Sequence, residues 1–102
     1  MEWYHYFSCF LAGAFLTNFV PHFVKGICGD KFPTPFAKPS GKGPSSPTVN
    51  VIWALFNLLV GYLLFRFARV SFENNLSMIL FFLGISCMSI FSSITFADKE
   101  KM

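Results

Sequence analysis

Asn18 and His22 stand four residues apart in an apolar segment. That spacing puts both on one helix face, provided Pro21, which lacks an N–H and bends or ends helices, does not break the face. Trp53, Asn57 and Gly61 form an i, i+4, i+8 row in a second apolar segment. Counted from helix ends at the same membrane face, Asn57 lies about 13 Å deep and Asn18 about 9 Å deep, so their levels nearly match. A side-chain amide in lipid must find a partner, and an interhelical hydrogen bond is worth roughly 0.6–2 kcal/mol. Three chemistries suit Asn18, His22, Trp53 and Asn57. The bland one is glue that joins two helices and seats the loop between them. The functional one is a ligand- or partner-binding site for a lipid headgroup, a small solute or a peptide. Catalysis is the weakest.

Other constellations carry less. His5 and Cys9 are four apart, and His22 and Cys28 flank the far end of the same segment. The two pairs are separated by roughly 25 Å of helical rise, neither reaches three ligands, and no Cys-x-x-Cys exists, so no metal site is expected. Ser86, Ser89 and Ser93 form an i, i+3, i+7 stripe with Ser92 beside it. Ser89 and Ser93 make a small-xxx-small pair suited to helix packing, with a polar pore lining as the alternative. Asp30 near His22 and Cys28 is a chance-level grouping, and no nucleophile elbow, phosphate loop or paired carboxylate is present. No cofactor and no enzyme activity are expected. With no ionisable acid or base in mid-membrane, a proton relay lacks its usual parts.

The elements that must position these residues follow from composition. Of 102 residues, 54% are hydrophobic and 13% charged, and mean hydropathy is +0.54. Soluble domains carry about 25% charged residues. A free soluble domain, a disordered chain and a nucleic-acid binder are all disfavoured, since the net charge of +3 forms no dense basic patch. Three cysteines imply no complete disulfide framework.

Charge-free stretches at 3–24, 43–65 and 74–97 locate three spans, each near the ~20 residues a transmembrane helix needs. The expected fold is all-α, one integral membrane domain over 1–102, with helices at about 3–24, 48–67 and 75–97. Ala12-Gly13-Ala14 has the form of a signal-cleavage site, but the preceding segment carries Glu2 and no Lys or Arg, so a retained helix is expected. Lys25, Lys31, Lys38 and Lys42 lie in the first loop, Arg66 and Arg69 at the second, and Lys99 and Lys101 at the C-terminus. An N-out, C-in orientation places six of these inside and two outside, as the positive-inside rule prefers. Arg66 and Arg69 can snorkel to the interface, with Glu73 as an ion-pair partner.

The loop at 25–47 is the unusual part. Its composition predicts a long, ordered, Pro/Gly-rich connector without helix or strand. Phe32-Pro33-Thr34-Pro35-Phe36-Ala37-Lys38-Pro39 should run extended, near polyproline II. Phe32 and Phe36 should lie against helix ends or headgroups. Ser46-Pro47 predicts an N-cap and first helical residue.

The ordered strings Asn18-Phe19-Val20-Pro21-His22-Phe23-Val24, Phe32-Pro33-Thr34-Pro35-Phe36-Ala37 and Ser45-Ser46-Pro47, followed by Asn50-Val51-Ile52-Trp53 and Asn57, resemble a family of small, uncharacterised bacterial integral membrane proteins. The resemblance covers about residues 18–61. It implies a bacterial inner-membrane setting and a functional block around the loop, and it names no substrate. The leading expectation is a non-catalytic interaction or assembly subunit, working as a homo-oligomer or as an accessory to a larger membrane protein. The alternative is a small-molecule or lipid transporter or channel formed by oligomerisation. Expected partners are membrane lipids and this chain itself or another membrane protein.

Overall fold

The computed structural model describes residues 2–40, 42–71 and 73–97. Lys99 and Lys101, counted above for orientation, lie outside the described residues, as does Gly41. The chain forms three helices, α1 (Trp3–Ile27), α2 (Pro47–Ala68) and α3 (Asn75–Ala97). Each is long and apolar enough to cross a membrane. At ~1.5 Å per residue they measure about 33–38 Å, against a hydrocarbon core of ~30 Å.

Local chemistry sets the ends. The Glu2 N–H donates to His5 Nδ1 at 3.2 Å, holding the first turn of α1. The helix passes through Pro21 and past Lys25. It ends at Ile27, capped by Cys28 and followed by Gly29, whose φ of +76° is the left-handed geometry of a helix stop. There the Asp30 N–H reaches back to the Lys25 carbonyl at 2.9 Å and the Gly29 N–H to Gly26 at 3.0 Å. Ser46 caps α2 by accepting the Val49 N–H at 3.1 Å, and Pro47 occupies the first turn. Between α2 and α3, Asn74 accepts the Ser77 N–H on its side-chain oxygen at 3.1 Å. The buried Ser77 hydroxyl in turn accepts the Ser71 N–H at 3.3 Å.

The connector between α1 and α2 corrects the sequence-based expectation. Its bounds are 28–46, shorter than the long loop expected over 25–47. Lys25 does not end the span: α1 runs on to Ile27, and the chain turns left-handed at Gly29. The connector is not free of strand pairing. Phe32 and Ser45 form an antiparallel bridge, exchanging N–H···O bonds of 3.2 and 3.1 Å. Nor does 32–39 run extended. The Ala37 N–H closes a turn on the Thr34 carbonyl at 3.1 Å, and Lys38-Pro39 is cis. The connector doubles back, and the bridge ties Phe32 to Ser45. Phe32 is 6% exposed, whereas Phe36 is 66% exposed with its ring edge-on to Trp53. Among the described residues Glu73 forms no ion pair with Arg66, which instead approaches the Tyr62 hydroxyl at 3.4 Å.

Helix α1 is the common partner, packing against both α2 and α3. Two glycines set the α1–α3 approach. A Cβ on Gly13 would strike the Phe81 carbonyl, and one on Gly84 would strike the Phe10 carbonyl. Small residues of this kind let membrane helices approach backbone to backbone. The Ala12-Gly13-Ala14 triplet is therefore a packing seam, with Ala12 fully buried. Helices α2 and α3 meet edge-to-face at Phe65 and Phe81, near their hairpin turn. At the other end the connector packs against α1 and α3. Phe32 packs 4.6 Å from the Phe96 ring of α3 and 5.5 Å from the His22 ring of α1.

Candidate functional site

Two polar layers join α1 to α2. In the deeper one, Asn18 Nδ2 donates to Asn57 Oδ1 at 3.1 Å, and Asn57 Nδ2 donates to its own helix at the Trp53 carbonyl, 2.8 Å away. Asn57 is 1% exposed. Both amide orientations are thereby fixed, since a carbonyl can only accept. Their matching depths, read from residue counts, are those at which the two side chains meet.

The shallower layer centres on Asn50, a residue the sequence reading left out of the site. It is fully buried. Its Nδ2 donates to the carbonyls of Phe32 (2.8 Å), Ser46 (3.1 Å) and Ser45 (3.3 Å), so Oδ1 must face His22, whose Nδ1 lies 2.8 Å away. A carbonyl oxygen accepts, so neutral His22 carries its proton on Nδ1 and presents a bare lone pair at Nε2. Asn50 thus clamps the bridged connector, α2 and α1 together. A signal for it existed: Asn50, Trp53 and Asn57 are spaced i, i+3, i+7 on one helix face. Buried Thr34 adds a 2.6 Å hydroxyl contact to Ser45 inside the connector.

Trp53 stands between the layers. Its ring packs edge-on to His22 at 6.4 Å and lies parallel to Phe56 at 5.7 Å. Its Nε1–H is buried with no hydrogen-bond partner. Beside it, under the connector, lies a cavity of about 240 Å³ lined by Asn18, His22, Thr34, Trp53, Met88 and Phe91, among others. None of its lining residues is charged.

The remaining candidates disperse. His5 packs at a tilt against Phe67, 5.0 Å between ring centres, at the opposite end of the bundle, and Cys9 is buried against the Ala68 carbonyl. Cys28 and Asp30 are exposed, away from buried His22. Among the described residues no group of three metal-ligating side chains forms. Ser86, Ser89 and Ser93 donate to carbonyls of their own helix at 2.7–2.9 Å. Gly84, rather than the serine pair, makes the tight contact with α1. Ser89, Ser92 and Ser93 line an open groove of about 690 Å³ between α3 and the Thr17–Pro21 part of α1. No family model, no curated protein and no solved structure matches this chain.

Proposed function

We propose that this protein is a non-catalytic interaction or assembly subunit of the bacterial inner membrane, with its N-terminus outside and its C-terminus inside. It acts on a further copy of itself or on another membrane protein. The orientation rests on the lysines of the first loop and the C-terminus, which outnumber the arginines of the second loop by six to two. The α1–α3 groove carries the interaction reading. Pro21 has no N–H, so the Thr17 carbonyl lacks its usual i+4 donor, and Thr17 and Pro21 both line the groove with Ser92. Polar groups at membrane depth are satisfied by neighbouring helices, which favours a helix seated there over lipid chains alone.

The test is extraction into native-lipid discs followed by mass determination. The expected result is a species heavier than the 11.6 kDa chain, reduced to monomer by Ser92→Phe, which fills the groove, while helicity persists. A wild-type monomer with lipid alone would overturn the reading.

A further inference from the structure

We infer that the cavity under the connector is a binding site for a neutral hydroxyl group, either on a lipid headgroup or on a small polyol. This site adjoins the α1–α3 groove, sharing Phe96 with it, and the inference does not rest on that groove.

Two complementary groups are left over there. The Trp53 indole N–H is a buried donor without an acceptor. His22 is 2% exposed, and its one hydrogen bond among the described residues is through Nδ1 to Asn50. The amide orientation of Asn50 makes Nε2 an acceptor without a donor. The two rings are neighbours, with centroids 6.4 Å apart and planes at 78°. A hydroxyl is the smallest group that answers both. Its oxygen accepts from Trp53 Nε1–H, and its hydrogen is donated to His22 Nε2. The indole N–H is sealed in this state, so binding requires the indole to turn, and the ring it packs against, Phe36, is mostly exposed.

The lining selects further. No charged side chain lines the cavity, so an anionic or cationic ligand would be desolvated without compensation. Asn18 and Thr34 supply a polar side, and Met88 and Phe91 an apolar one. A volume of about 240 Å³ is roughly that of eight waters. That suits a glycerol-sized group better than a drug-sized ligand. Trp53 of α2 and Met88 and Phe91 of α3 all line the cavity, so it lies between these two spans.

The test uses the full chain in phosphatidylcholine discs. His5→Gln makes His22 the one histidine, and His5 lies at the far end of α1. The ¹⁵N resonances of His22 are followed during titration. Without ligand they should report the Nδ1–H tautomer. Dioleoylglycerol, a lipid source of the hydroxyl, should move the Nε2 resonance upfield and saturate. Saturation with glycerol alone would support the same site with a soluble occupant. Dioleoylphosphatidic acid should not saturate. Trp53→Phe keeps the aromatic ring and removes the N–H, and should weaken the titration about fivefold, the factor for one lost hydrogen bond. The inference fails if neither hydroxyl probe moves Nε2, which would leave only water in the cavity. It also fails if phosphatidic acid titrates as well as dioleoylglycerol, if Trp53→Phe titrates unchanged, or if the resting proton sits on Nε2.

Discussion

Helix α1 is held to its two neighbours by different physics. Toward α2 it presents hydrogen-bonding side chains, Asn18 to Asn57 and His22 to Asn50. Toward α3 it presents the absence of a side chain, Gly13 against Phe81 and, reciprocally, Gly84 against Phe10. The first interface is directional. A slip of one residue along the helix, ~1.5 Å, would pull both pairs out of reach, so it fixes the relative depth of α1 and α2. The second is steric and fixes how closely the helices approach. Lipid tails are as apolar as leucine, so neither interface draws on the hydrophobic effect as a soluble core does. Polar side chains of the directional interface border the cavity under the connector, whereas the serines of α3 line the open α1–α3 groove.

Substitutions can break this contrast. Asn50→Leu should be the most damaging, at about 3 kcal/mol. It leaves the His22 Nδ1–H unsatisfied in the core, at about 1–3 kcal/mol, and removes the side-chain donations to the Phe32, Ser45 and Ser46 carbonyls, which keep only their backbone donors. Unfolding in mixed micelles followed by circular dichroism gives the number, and proteolysis at Lys31 and Lys38 should quicken in parallel. Gly13→Ala should cost about 2 kcal/mol, because its new methyl meets a backbone carbonyl that moves only with its helix. The two substitutions should also differ in kind: Gly13→Ala loosens α3 and leaves the connector protected. Asn57→Leu should cost about 1 kcal/mol, the scale of one interhelical hydrogen bond. A double-mutant cycle with Asn18→Leu should show coupling between the two positions, and additive losses would dissolve the deeper layer. Ser89→Ala should change stability by less than about 0.5 kcal/mol, since its hydroxyl already bonds to Ile85 within α3. A larger loss would mean the serine stripe, and not Gly84, holds α3.

Much of the helical frame was legible because its causes are local. Three long apolar stretches, Ser46-Pro47 ahead of α2, and the i, i+4 spacings of Asn18 with His22 and Trp53 with Asn57 all lie within a few residues of one another. Pairing across helices was partly legible, since depth can be counted, and Asn18 does meet Asn57. Three things were hidden. Asn50 sits in the first turn of α2 and reads as an ordinary interfacial residue until the connector folds back onto it. The Phe32–Ser45 bridge joins residues thirteen apart in a segment whose prolines argue against pairing, and it survives because neither bridged residue is a proline. The α3 seam looked like serines because serine recurs there at helical spacing, while Gly84 is single. Only the proximity of Phe10 reveals its role.

The pairing order of the helices also bears on how the chain is made. Residues through Ala68 contain both polar layers, the bridge and the cap of α2, so the first hairpin is complete before α3 is synthesised. Helix α3 then arrives at an α1 surface already shaped for it by Gly13, and its final turn brings Phe96 over Phe32 and His22. Until that moment the His22 ring is uncovered on that side. The last helical turn is therefore the lid of this end of the bundle, and it is the part of the site to be put in place last.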